Sequence, residues 1–208
     1  MPSDVQLNET QRTVAVVSGS GDPAVHVRLV HHYAALPADV WTALTDPVAL
    51  ARWFLPVTGD LQVGGAFQFE GSASGEVLAC VPGRVLRVTY GGPTSVVVAR
   101  LDRGVGGGTT LTFEHTVSLS MAGSGAGALQ VAPAWERSVV CLGLFLAGDV
   151  VENPLVRENS PGMQRFARLS IDAWAVAVER SETASAIELS AAIAAAIAQF
   201  APDAPDAP

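Results

Sequence analysis

Hydrophobic and polar positions change period several times along the chain, and each change predicts an element. "VHVRLVHHY" alternates, with Val25, Val27, Leu29, His31 and Tyr33 on one face and His26, Arg28, Val30 and His32 on the other, which predicts a strand. "LPADVWTALTDPVALARWF" then moves to helical spacing. Pro37 suits a first turn, Val40, Trp41 and Leu44 share a side, and Asp46-Pro47 breaks the run so that Asp46 caps a second short helix carrying Leu50, Trp53 and Phe54. From Thr58 onward short apolar runs alternate with turn residues: "DLQV", Gly64-Gly65, "AFQFE", "GEVLACV", Pro82-Gly83, "RVLRVTY", Gly91-Gly92-Pro93, "TSVVVARLD", Gly104 to Gly108 and "TTLTFEHTV". Such short spacers predict antiparallel neighbours with one face to cover.

The cover is predicted in "PAWERSVVCLGLFLAGDVV", where Trp135, Val139, Leu142, Leu146 and Val150 recur at helical steps and Pro133 and Glu136 suit the first turn. Two more helices are predicted. One has Phe166, Ser170, Ala173, Trp174 and Ala177 on a face; the other opens with a Ser185/Glu188 capping box and carries a Leu189, Ile193, Ile197, Phe200 stripe. "SLSMAGSGAGALQVA" between sheet and long helix is expected to be a flexible loop. The expected organisation is a mobile N-terminal arm over 1–24, with one short extended piece at "TVAVV", a main domain over 25–152, a helical extension over 153–200 and a disordered tail over 201–208.

Composition narrows the partners. The net charge is −8 with sparse, scattered basic residues, so no footprint for a nucleic-acid backbone is expected. Mean hydropathy is +0.34, but Ala, Val and Gly carry much of it, and the most apolar window, "SVVCLGLFLAGDVV", is too short to span a bilayer. The first residues lack the basic-then-apolar order of a signal peptide, so a soluble cytoplasmic protein without membrane attachment is expected. Cys80 and Cys141 read as reduced core thiols.

Candidate chemistry is sparse. His115 alternates with Leu111 and Phe113 on the inward face of its strand, where an imidazole can orient a ligand or act as acid or base; a hydrogen-bonded core histidine is the plain alternative. His31 and Tyr33 share a face with Leu29, and Tyr90 follows Leu86 and Val88, so both tyrosine hydroxyls are candidates to enter one cavity. Glu76 is expected on the strand face opposite Val77 and Ala79, in solvent. His26, His31 and His32 alternate across a strand and have no acidic or cysteine ligand at suitable spacing, so no metal is expected. The glycine clusters lack the phrases of phosphate loops, so no cofactor is expected either.

The segments "VWTALTDPVALARWF", "DLQVGGAFQF", "GEVLACVPGRVLRVTY", "GTTLTFEHT" and "WERSVVCLGLFL" resemble, in order, the SRPBCC superfamily, and within it the branch named after the activator of heat-shock protein 90 ATPase. The resemblance spans Val25 to Gly148, and the "SPGMQRF…AW" phrase resembles the C-terminal extension of some bacterial members. It implies an α+β helix-grip fold: a curved antiparallel sheet, two short helices and a long helix over a cavity, with extra C-terminal helices. It further implies a small hydrophobic or amphipathic ligand, lined by Trp53, Phe54, Phe67, Phe69, Tyr90, His115, Trp135 and Leu142. A non-enzymatic binder is the first expectation. A cyclase or hydrolase using His115 with Tyr90 or Tyr33 is the alternative, and a co-chaperone role is a third, supported only by the branch name. The C-terminal stripe leaves room for a homodimer.

Overall fold

The computed structural model of the protein describes residues 10–18, 22–149 and 160–204. The eight strands are β1 (Gln11–Val17), β2 (Ala24–Tyr33), β3 (Val57–Gly59), β4 (Ala66–Phe69), β5 (Ser74–Val81), β6 (Val85–Thr89), β7 (Val96–Arg103) and β8 (Thr109–Ser118). The helices are α1 (Pro37–Thr45), α2 (Pro47–Trp53), α3 (Leu119–Ala122), α4 (Ala132–Leu146), α5 (Pro161–Ser181) and α6 (Ala186–Phe200). The strands form one curved, unclosed sheet in the order β1-β2-β8-β7-β6-β5-β4-β3. With α1 and α2 inserted after β2 and α4 following β8, this is the α+β helix-grip architecture. No helix among the described residues is long and apolar enough to cross a membrane.

Residue contacts fall into two compact units, each assembled from separate stretches of chain. One is made of the described parts of 1–28, 117–140 and 155–208; the other of 29–116 and the described part of 141–154. These limits differ from the expected 25–152 domain: residues 117–140 group with the C-terminal helices.

In the second unit, Asp46 ends α1 and begins α2. Its carboxylate accepts from the Ala49 N–H at 2.8 Å, and Pro47 occupies the first helical position, where its missing N–H costs nothing. The sheet here is antiparallel, and its register sets the faces. Val77 pairs with Val88, Val88 with Val97 and Val97 with His115, so these four form a row across β5, β6, β7 and β8. A bulge between Val77 and Ala79 then shifts β5 by one residue, pairing Ala79 with Arg87 and Cys80 with Leu86. Simple alternation had put Ala79 with Val77; the extra residue turns it to the Arg87 face and brings Cys80 inward. The first strand of this region is Val57–Gly59, and the expected "DLQV" strand is instead the turn that joins it to β4. Cys80 and Cys141 are thiols outside any disulfide, and both are half-buried.

The first unit has its own core, with Met163, Phe166, Ile171, Trp174 and Val178 buried along α5. Phe166, Ser170 and Trp174 lie on the face read from the sequence, whereas Ala173 and Ala177 are only half-buried. "TVAVV" belongs to β1, so this part of the arm is ordered into the sheet, with Val14 buried. The reason is polar: Arg12 on β1 reaches the fully buried Glu136 of α4, its Nε donating to Oε2 at 3.0 Å and a terminal nitrogen bonding Oε1. The Ser170 hydroxyl of α5 donates to the same Oε2 at 2.6 Å. Glu136 is thus the hub of three elements; it is the fifth residue of α4 and lies beyond the first turn in which the sequence had placed it.

The expected flexible loop before α4 contains α3 and a buried 3-10 turn, Gly125–Gln130. A Cβ on Gly125 would stand 1.8 Å from the Thr183 hydroxyl, and the Gly125 N–H donates to the Thr183 carbonyl at 3.0 Å. Glycine here serves close backbone approach, and flexibility is the wrong reading of it. Helix α6 carries the expected Ser185/Glu188 capping box, and its Leu189, Ile193, Ile197 and Phe200 stripe is half-buried around the buried Ala196. Val150 and the rest of 150–159, like 1–9, 19–21 and the last four residues of the tail, lie outside the described residues.

Candidate functional site

The second unit gathers most of the aromatic residues singled out above into one wall. Trp53 ends α2 and is buried; its indole N–H donates to the Ala43 carbonyl at 2.8 Å, which satisfies an acceptor in the last turn of α1. Its ring meets that of Phe54, with centroids 5.4 Å apart. Phe54 meets Phe69 edge-on at 5.0 Å, and Phe69 meets Phe67 edge-on at 5.5 Å and Tyr90 at 6.3 Å. Edge-to-face geometry places positive ring edges on negative faces, so each such contact contributes about 0.5–1.5 kcal/mol beyond area burial. Phe67 is buried, while Phe54, Phe69 and Tyr90 are half-buried and complete a continuous aromatic surface.

Glycine makes that surface fit. Gly75 is the cross-strand partner of Phe67, and a Cβ there would stand 2.6 Å from the Phe67 ring and 2.0 Å from the Thr89 carbonyl oxygen. Phe67 therefore lies across the bare backbone of β5.

Polar groups punctuate the same end. The Tyr90 N–H donates to the Ser95 carbonyl at 2.9 Å, continuing the β6–β7 register by one pair and putting both side chains on the Val88–Val97–His115 face. Ser95 Oγ and His115 Nε2 share a hydrogen bond of 2.8 Å. His115 is 3% exposed, and burial pushes its pKa down from 6.5 to about 4, so the ring is neutral at physiological pH. The Tyr90 hydroxyl lies 3.1 Å from that of Ser72. Burial raises the Tyr90 pKa, and the Ser72 contact opposes that in part.

Tyr33 does not join them. Its ring meets that of His31 at a tilt of 58°, with centroids 4.8 Å apart, and lies against Gly143 of α4, where a Cβ would be 3.4 Å away. Burial first, then Cys141, pushes its pKa well up. His32, next to it, bonds Thr110 near the start of β8, five residues and about 17 Å along that strand from His115. The two tyrosines thus occupy opposite ends of the sheet, contrary to the expectation of a shared cavity. Leu142 is buried in the last part of α4, and Trp135 is half-buried in the first unit.

A groove of about 630 Å³ opens elsewhere, lined by Leu36, Pro37, Ala38, Gly83, Arg84, Leu101, Asp102 and Arg103. It lies at the Tyr33 end of the strands and adjoins none of the aromatic positions. Ser95, Ser72 and Gly75 were missed from sequence. Their signal was available only as register: Ser95 is two residues before Val97, hence on its face, but which serine meets which histidine depends on how the hairpin closes. Among the described residues no cluster of three or more His, Cys, Asp or Glu is placed to hold a metal ion.

Among solved structures, the chain is similar to CalU16 from Micromonospora echinospora, with 34% identity and a TM-score of 0.67 over 81% of this chain and 98% of that one. The solution structure of CalU16 agrees, at 33% identity and a TM-score of 0.68 over 83% and 97% of the two chains. DynU16, a protein in the dynemicin biosynthetic locus, matches at 26% identity and a TM-score of 0.51 over 60% of this chain and 48% of its own. EF2215 from Enterococcus faecalis, a conserved protein of unknown function, shares the fold at 15% identity and a TM-score of 0.59 over 80% and 92%. No curated protein matches the chain. The family described as Activator of Hsp90 ATPase homolog 1-like protein matches residues 34–142, which is just over half the sequence and includes the aromatic wall, His115 and Leu142. With this match and the similarity to CalU16, the chain belongs to the Activator of Hsp90 ATPase homolog 1-like family, within the SRPBCC superfamily.

Proposed function

We propose that the protein binds a small hydrophobic or amphipathic molecule against the inward wall of the sheet, with Trp53, Phe54, Phe67, Phe69 and Tyr90 as apolar contacts. Leu142 and His115 are assigned to the same site; Trp135 belongs to the other compact unit. The observation that carries this is the unbroken chain of ring contacts from Trp53 to Tyr90, which ends in a hydrogen-bonding hydroxyl. An apolar surface with a few placed polar groups is the composition of a small-molecule site. Similarity to a protein in the dynemicin biosynthetic locus supports a product of small-molecule biosynthesis as the cargo.

Titration with Prodan, a neutral naphthyl ketone whose emission reports an apolar environment, tests this. Saturable binding is expected and Phe69→Arg abolishes it with the circular dichroism spectrum unchanged. Binding that survives this substitution moves the site elsewhere. Native mass spectrometry of protein purified from its own host is expected to show a releasable small molecule.

A second reading is favoured by the 2.8 Å Ser95–His115 contact: a cyclase or hydrolase in which neutral His115 accepts a proton. It requires turnover of an aromatic polyketide or ester that His115→Ala removes.

A further inference from the structure

The inward wall carries polarity without charge. Phe67 pairs with Gly75, and the pairing of Val77 with Val88 carries the next row through Gly75 to Tyr90 and on to Ser95. The adjoining row ends in His115, hydrogen-bonded back to Ser95. Every polar side chain here is a hydroxyl or a neutral imidazole, and burial keeps both the His115 ring and the Tyr90 phenol in their neutral forms.

The ionisable residues of the same strands are on the other side. Glu76 pairs with Ala66, and Arg87 and Glu114 both pair with Val98, opposite in parity to the wall. Arg100 and Glu114 face each other there at 3.6 Å. Arg103 has inward parity but stands eight residues from Ser95, about 25 Å along the strand. Arg52, beside Trp53, lies over the Phe145 ring at 5.3 Å. Among the described residues no cation shares the wall's face near Tyr90 and Ser95, so an anion there would lose its water without gaining a counter-charge, in a chain whose net charge of −8 already repels it. A neutral carbonyl or hydroxyl would exchange its water for a Tyr90, Ser72 or Ser95 hydroxyl at little net cost.

We infer that the wall selects a neutral aromatic ligand bearing a hydrogen-bonding oxygen, a ketone or a phenol, and rejects carboxylates of the same shape. This rests on the ligand-binding reading above and specifies its chemistry.

Three probes of one shape test it by displacement of Prodan: 2-acetylnaphthalene, 2-naphthoate and 2-methylnaphthalene. The ketone is expected to bind about tenfold or more tighter than the carboxylate at neutral pH. Tyr90→Phe and Ser95→Ala are each expected to weaken the ketone a few-fold and leave the hydrocarbon unchanged. Should Ser95→Ala fail to fold, Tyr90→Phe decides alone. Naphthoate binding as tightly as the ketone, or methylnaphthalene matching the ketone in the wild-type protein, overturns the inference and leaves the ligand-binding reading standing. Failure of Prodan and all three probes to bind overturns both.

Discussion

His115 shows how one residue's environment becomes a property of the protein. Its pKa is about 4 when folded against 6.5 for a free imidazole, so between those values the unfolded chain holds a proton that the folded one lacks. Stability contributed by the neutral ring is complete above pH 6.5 and is lost as pH falls towards 4. The difference is on the order of 3 kcal/mol. Urea titrations at pH 7 and pH 4.5 should therefore show a steeper loss for the wild-type protein than for His115→Gln, and parallel losses would mean that the ring is accessible to solvent. Gly75 makes a steric prediction. Gly75→Ala forces a Cβ against the Thr89 carbonyl and the Phe67 ring, at a cost of about 1–3 kcal/mol and with displacement of the aromatic wall. Prodan affinity and the urea midpoint should fall together. His115's inward face was legible in the strand alternation; its serine partner was not, because a hydrogen bond between strands depends on register that no local pattern specifies.

At the scale of elements, β1, α4 and α5 converge on one carboxylate. Glu136→Ala removes the carboxylate that pairs with the Arg12 guanidinium, 12% exposed, and accepts from the Ser170 hydroxyl. Breaking such a pair costs about 3–5 kcal/mol, and replacing both ions by apolar residues recovers much of it. Equilibrium unfolding of Glu136→Ala and of Arg12→Met with Glu136→Leu should therefore differ, the double variant being the more stable. Equal destabilisation of both would show that the hub acts through something other than its charges. The helices themselves were readable: Asp46 as a cap, Pro47 in a first turn and the Ser185/Glu188 box are local signals, and each is present. The β5 bulge and the short β3 were not readable, since alternation says nothing about an inserted residue.

For the whole molecule, the boundaries drawn from sequence cut through the first unit. A 25–152 fragment keeps α4 but loses β1, with Arg12, and α5, with Phe166, Ile171, Trp174 and Ser170, all of which belong to the same compact unit. Limited proteolysis and calorimetry of this fragment are expected to show early cleavage within 117–140 and loss of a cooperative transition. A fragment as resistant as the full chain would mean that the family-matched region folds without its extension.

By itself the sequence determined the order and type of most elements, the inward face of the strands that carry no bulge, the helix caps and the family resemblance, because these depend on period, turn chemistry and neighbours a few residues away. Only the tertiary structure decided that Glu136 is buried with Arg12 and Ser170, that the Gly125 segment is packed, that Ser95 meets His115, and that Tyr33 and Tyr90 stand at opposite ends of the sheet. Each of these joins residues distant in the chain, and such contacts depend on register and burial that hydrophobic pattern alone leaves open.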